Sequence, residues 1–539
     1  MIKTLLPLLV IIALSSCKNQ IKLDSIGIQN ATIKKNQHPL KGWLIADIET
    51  DTIPGISLNR AIENKLLKSK NEDSIIVAVI DTEVDINHEI LRKNIWTNKK
   101  EIPENGKDDD FNGYVDDLHG WNFIGNKSGE NIIYANNESL RIIRTYENDS
   151  NSFVNKKLYE KALVIYNESR KAAISDMKYV TFLTDTYPKS KKALLKFFPE
   201  EDYTTEQLDS LYKIYDKKDK ELAKLIYYMS DYIKYDLSKK WIDDLKRSVQ
   251  GDLNNSLNPK YNDRDILGDD PHDLNDINYG NPTVNGNLNK LYHGTEVAAL
   301  IAGHGNDKMI SVCESCLIMP ICISSNGNEN DKDIALGIKY AVDNGAKVIN
   351  MSFGKELSLH NEWVLDAIKY AGDHNVLIVS SAGNGSLNLD NVKDYYPNDY
   401  SYTKKSEVSN NFILVGASTS NLNKNLVASF SNYGKCNVDI FAPGAKIESA
   451  LPYNKYKKDS GTSLSSAIVS GVAALILSKH PHLAPSQIKK IILNSGVNYS
   501  IDVIIPGKSD DSIVPFNNLS KSGKIVNVYN ALILADKLK

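Results

Sequence analysis

Long hydrophobic runs are nearly absent from this chain of 539 residues. Past the N-terminus none approaches the ~18 apolar residues that a membrane-spanning helix needs. An excess of positive charge is missing as well. Lys and Arg total 64 against 67 Asp and Glu, a net of −3, which argues against nucleic acid as a partner. Cysteine is scarce, with five in all. Cys313 and Cys316 have Cys-x-x-Cys spacing just before the apolar stretch 317–320, but the second pair that a zinc site requires is not there. A thioredoxin-like redox role needs a different fold context. Two readings remain for this pair: a local disulfide across a turn, which export favours, and buried thiols.

The N-terminus is a targeting segment. Lys3 supplies positive charge, and Leu5 to Leu14 is apolar but too short to span a bilayer. Leu14-Ser15-Ser16-Cys17 resembles a bacterial lipobox, in which Cys17 is lipidated and becomes the mature N-terminus. An ordinary cleaved signal is the alternative.

Three segments carry chemistry. Ser463 stands in a small-residue turn, Ser460 to Ala467, ahead of a long apolar run that reads as a buried helix. A serine at a helix N-terminus lies over a partial positive charge, which suits a nucleophile whose transition state builds an oxyanion. Residues 75–80 form a continuous apolar run ending at Asp81, the look of a buried parallel strand with a carboxylate at its C-terminal end. His293-Gly294-Thr295 opens a further apolar run that reads as a second buried helix. Singly, Asp81 could cap a helix, His293 could be structural, and Asn384 between two glycines could be a plain turn.

Together the motifs are more specific. Val79-Ile80-Asp81-Thr82, His293-Gly294-Thr295, Asn350-Met351-Ser352-Phe353-Gly354, Ser381-Ala382-Gly383-Asn384-Gly385, Phe430 to Gly434, Ala442-Pro443-Gly444 and Gly461-Thr462-Ser463 occur in an order that resembles the subtilisin-like serine proteases, or subtilases. The resemblance implies an α/β, subtilisin-like three-layer fold with a mostly parallel central sheet. It implies Ser463 as nucleophile, His293 as general base and Asp81 as the carboxylate that orients the imidazole. Asn384 would donate to the oxyanion with the Ser463 N–H. Ser352, Phe353 and Gly354, with Ala382 and Gly383, would form the edges that bind an extended polypeptide. Tyr395, just before Tyr396-Pro397, would lie at the base of the P1 pocket or turn outward. Inside, it would favour small or polar P1 residues. The chemistry needs no cofactor.

The chain departs from the family in four places. Glu296 replaces a second histidine, Glu83 a glycine, Leu464 a methionine and Ser465 an alanine. None removes a triad atom. Glu296 either adjusts the base or faces solvent, and Leu464 removes an oxidisable thioether beside the nucleophile.

The expected organisation is a lipoprotein signal peptide at 1–17, an N-terminal extension at 18–71, a catalytic domain at 72–130 and 261–539, and an all-α insertion at 131–260. The extension looks too short for a folding propeptide and is expected to wrap the catalytic domain. Nothing is left for a C-terminal sorting module. In the insertion, Tyr159, Ala162, Leu163 and Tyr166 have helical spacing, as do Leu208, Leu211, Tyr212 and Tyr215, and Leu222, Leu225, Ile226 and Met229. Thr204 and Gln207 suggest a capping box, and Pro188 and Pro199 are expected to punctuate the helices. The stripes imply an internal helix–helix core; a substrate-gating lid or partner surface is the functional alternative. Asp108, Asp110, Asn112 and Asp116 fall at calcium-loop spacing, although His119 stands where an EF-hand has its last glutamate. That loop is either a structural calcium site or a solvated acidic turn. The expected protein is thus an exported, lipid-anchored serine endopeptidase of the bacterial cell envelope, held to the membrane at Cys17 and facing away from the cytoplasm. A catalytically silent binding or scaffold protein on the same fold is the alternative.

Overall fold

The computed structural model describes residues 42–538 apart from 68–73, 149–153, 307, 326, 328, 393, 402 and 403. Cys17 and the signal segment lie outside the described residues. One sheet of nine strands organises the catalytic part: β1 (Ile76–Asp81), β2 (Trp121–Asn122), β3 (Leu317–Cys322), β4 (Val348–Met351), β5 (Leu377–Ser381), β6 (Phe412–Ser418), β7 (Ile440–Pro443), β8 (Val497–Asn498) and β9 (Lys524–Ile525), in the order β8-β9-β7-β6-β5-β4-β1-β3-β2. Every neighbouring pair is parallel except β8 with β9.

Strands covered on both faces must be apolar on both, which explains the unbroken runs. Val77 and Val79 point into one core with Leu377, Val379 and the helices His293–Ala302 and Thr462–Lys479. Ala78 and Ile80 point into the other with Ile349, Ile378 and the helices Asp331–Asp343 and Asn361–Asp373. The result is the three-layer α/β fold. Contrary to the expectation that no run past the N-terminus approaches spanning length, helix Thr462–Lys479 is long and apolar enough to cross a membrane, but 89% of that stretch is buried, and it is the core of this domain. Residues 42–67 lie on the same core through Leu44, Ile45, Ile56 and Leu58. They are tied to the last helix, Val528–Asp536, by Val528 N donating to Ile56 O (2.8 Å) and Asn527 Nδ2 donating to Ser57 Oγ (2.7 Å). Cys313 and Cys316 form a buried disulfide, while Cys322 and Cys436 are free thiols.

Helices Lys156–Leu194, Thr205–Tyr215, Lys220–Lys234 and Lys239–Gly251 enclose a separate core that includes Val180, Leu183, Leu208, Ile226, Met229 and Ile242. The capping box at Thr204 and Gln207 is formed. The stripe of Ala162, Leu163 and Tyr166 faces elsewhere, packing with Ile142 and Ile143 against Leu357 of the catalytic part. Pro188 does not end a helix; it lies inside Lys156–Leu194. It sits on the exposed face, so the helix bond that proline cannot make leaves a carbonyl that water can satisfy.

Candidate active site

Asp81 ends β1, His293 opens its helix, Ser463 is in the first turn of Thr462–Lys479, and Ser352 and Asn384 follow β4 and β5. All lie at the carboxyl ends of parallel strands, where an α/β sheet leaves its crevice. His293 Nδ1 donates to Asp81 Oδ1 at 2.7 Å, and the Thr82 amide donates to the same oxygen at 2.7 Å. Asp81 is 2% exposed. The helix start approaches so closely that a Cβ on Gly294 would lie 2.6 Å from Thr82 O, which only glycine permits. Burial disfavours the imidazolium. The charge and hydrogen bond of Asp81 outweigh this, with Glu296 and Glu329 adding, and the His293 pKa is pushed up to about 9.

Glu296 does not face solvent. It is buried, and Lys457 Nζ meets its carboxylate at 2.6 Å and that of Asp459 also at 2.6 Å. Burial pushes the Glu296 pKa to about 7 in spite of Lys457. Glu83 accepts from the Asn287 amide and from Asn131 Nδ2, pinning the loops beside Asp81. Ser465 Oγ reaches Ala442 O and Pro443 O, both at 3.1 Å, and fastens the nucleophile's helix to the end of β7.

The Ser463 hydroxyl donates to Ser352 O at 3.0 Å. Asn384 Oδ1 accepts from Thr462 N and Thr462 Oγ1, each at 2.9 Å, which turns its Nδ2 the other way. A Cβ on Gly461 would lie 3.6 Å from Asn384 Nδ2 and 3.8 Å from Ser463 N, so the two donors flank one space.

The proposed substrate edges divide into parts that face the cleft and parts that do not. Ser352, Phe353 and Gly354 line a cleft of ≈ 450 Å³ together with Asp81 and His293. The Ser352 side chain instead turns beneath the catalytic helix, bonding Ser463 O (3.0 Å) and Ser466 Oγ (2.9 Å). Ala382 is fully buried; its amide donates to Val415 O and its carbonyl accepts from Asn432 Nδ2, so it serves the fold as wall. Tyr395 is turned inward, 9% exposed, between the two edges. A Cβ would meet its hydroxyl at 2.4 Å on Gly354 and at 1.8 Å on Gly383.

The acidic loop departs from its spacing. Glu101, Asp108 and Asp110 bring their carboxylates within 4.8 Å of one another. Glu101 Oε2 is buried with no hydrogen-bond partner, and this set fits a hard, oxygen-seeking cation. Asp116 is not part of it. Its φ of 55° turns the carboxylate onto the amides of Asn105 and Gly106. Asn112 is also occupied, with Oδ1 accepting from Tyr114 N and Nδ2 donating to Asp117.

Sequence reasoning missed two polar groups at the site. Asn350, Ser466 and Ser470 join Ser352 in a buried network under Ser463, Ser470 Oγ donating to Asn350 Oδ1 at 2.9 Å. Small hydroxyl residues at helical spacing, 463, 466 and 470, were the available signal. Lys355, just past Gly354, is buried on Glu138 (3.1 Å), Asp331 (2.8 Å) and Glu329 O (2.6 Å), which bolts the insertion's first helix, Glu138–Asn148, to the substrate edge. Nothing local foretells that contact.

The Peptidase_S8 pattern, described as the subtilase family, matches residues 72–514. Subtilisin DY of Bacillus licheniformis is 33% identical over 208 residues, covering 38% of this chain and 70% of that one. Subtilisin Savinase of Lederbergia lenta is 31% identical over 211 residues, with shares of 38% and 70%. The prenylagaramide maturation protease PagA, a solved structure, shares 28% identity with a TM-score of 0.36, over 45% of this chain and 82% of that one. The matched span takes in most of the chain, and the chain therefore belongs to the subtilase family of serine-type endopeptidases.

Proposed function

We propose that this chain is an exported, lipid-anchored endopeptidase that hydrolyses extended polypeptides through an acyl-enzyme on Ser463. The contact between His293 Nδ1 and Asp81 carries the chemistry, because it fixes the tautomer that leaves Nε2 basic. In the resting chain the Ser463 hydroxyl occupies Ser352 O. A substrate strand adding to this edge takes that carbonyl for its own N–H, which releases the hydroxyl to turn toward His293. His293 Nε2 removes the proton as Ser463 Oγ bonds to the scissile carbonyl carbon. The oxyanion receives hydrogen bonds from Ser463 N and Asn384 Nδ2. Asp81 stabilises the imidazolium, which gives its proton to the leaving amine. Water, deprotonated by the same nitrogen, then releases the acyl group.

A fluorophosphonate probe tests this reading. Labelling of wild type that disappears in Ser463→Ala is expected; an unlabelled wild type would mean a silent scaffold on the same fold.

Export and anchoring rest on Leu14-Ser15-Ser16-Cys17, with the Cys313–Cys316 disulfide supporting an oxidising compartment such as the bacterial envelope. Mass spectrometry of the mature N-terminus should find acylated Cys17; an unmodified terminus downstream of it refutes the anchor. Glu101, Asp108 and Asp110 would hold a structural calcium ion, and none of the catalytic steps passes through it.

A further inference from the structure

We propose that Glu329 selects substrates with a lysine or arginine at P2, the residue preceding the one whose carbonyl is attacked. This rests on the reading of Ser463, His293 and Asp81 as a peptidase site.

Glu329 lies on the connection from β3 to helix Asp331–Asp343 and lines the same cleft as Asp81 and His293. It is 4% exposed. Its Oε1 accepts from Ser324 Oγ at 2.6 Å, and its Oε2 is buried without any hydrogen-bond partner. A carboxylate in that state is costly until a cation joins it. The other cleft carboxylates each have one: Asp81 has His293, and Glu296 and Asp459 share Lys457. Lys355 does not serve Glu329, because its Nζ is spent on the backbone oxygen of Glu329 and on the carboxylates of Glu138 and Asp331. Burial pushes the Glu329 pKa up, although the Ser324 hydroxyl, the residue's own backbone N–H and the more distant charge of Lys355 oppose it.

Strand geometry decides which substrate residue reaches this carboxylate. Successive side chains of an extended peptide point to opposite faces. With P1 directed at Tyr395, between Gly354 and Gly383, P2 is directed to the His293 side, where Ser324 and Glu329 form the wall. A lysine or arginine can lay its apolar stem along that wall and place its charged end on Glu329.

The test compares internally quenched peptides that differ only at P2, carrying Arg, Lys, Gln or Glu, on the full-length enzyme and on Glu329→Gln. Wild type should favour Arg and Lys over Gln by about 10- to 100-fold in kcat/KM, the range of a hydrogen bond to a charged group. In Glu329→Gln that preference should collapse, the Arg, Lys and Gln peptides being cleaved at similar kcat/KM to one another, while the lost charge shifts the pH profile of all of them alike through His293. An enzyme that labels with the fluorophosphonate yet ignores P2 charge overturns this proposal alone. A variant that keeps the wild-type preference for Arg and Lys at P2, whatever its common rate, also overturns it, since Glu329 would then merely brace Ser324. The wild-type P2 series decides the matter even if the variant fails to fold, and failure to label overturns the peptidase reading as well.

Discussion

The nucleophile's helix and the longest insertion helix solve burial in opposite ways. Thr462–Lys479 is enclosed on every side, and its close approaches are made by small residues: a Cβ on Gly471 would lie 2.6 Å from Val312 Cβ. Its polar groups survive only because each has a fixed partner, as with Ser465, Ser466 and Ser470. Lys156–Leu194 buries only a stripe, keeps exposed Val164, Tyr179 and Phe182, and accommodates a proline. A helix enclosed all round can aim an oxygen accurately because it has nowhere to move. A helix with one covered face tolerates change. Substitutions at the site should therefore be severe and chemical, and those in the insertion mild and thermodynamic.

The largest effect expected is that of Ser463→Ala, which should abolish turnover while leaving the circular dichroism spectrum unchanged. In subtilisin the corresponding loss is on the order of 10⁶ in kcat. Residual wild-type rates would remove Ser463 from the chemistry. Asn384→Ala should follow, with kcat reduced about 10²- to 10³-fold and KM little altered, because the amide serves a charge that exists only in the transition state. A change confined to KM would contradict it.

Tyr395→Gly should raise kcat/KM for peptides with Phe or Leu at P1 by at least about 10-fold relative to Ala, by vacating the space between Gly354 and Gly383. Wild type that already prefers Phe would show the ring swings aside. Glu296→Gln sharpens the electrostatics. A carboxylate near His293 favours the imidazolium, so its removal lowers the His293 pKa from about 9 and moves the acidic limb of kcat/KM to lower pH, by about half a unit to one unit. The two enzymes should converge below the Glu296 pKa of about 7, where that group is already protonated. The smallest effect should come from Thr204→Ala, which loses one cap in the insertion and costs about 1 kcal/mol of stability by denaturant titration, with kcat unchanged.

The same contrast governs what could be read from sequence. The places of Asp81, His293, Ser463 and Asn384 in the fold were legible because each stands at or near the junction of a strand or helix with its turn, and its neighbours advertise that junction. The burial of β1 as a parallel strand was legible for the same local reason, from its unbroken apolar run. Asp116 misled, since correct spacing does not reveal a left-handed backbone that turns its carboxylate onto Asn105 and Gly106. Pro188 misled because its effect depends on which face meets water. Lys355 with Glu138, and Glu329 with its unpaired oxygen, were invisible, because such partners lie far apart in the chain and meet only after folding.

A protease also lives among molecules that can digest it, its own copies first. Residues 42–67 are clasped under helix Val528–Asp536, with Ile56 and Ser57 bonded to Val528 and Asn527. Segments held in this way cannot unfold far enough to enter another copy's cleft without pulling that helix off the core. Self-digestion is therefore expected away from this segment, at fully exposed connections such as residues 216–219 between two insertion helices.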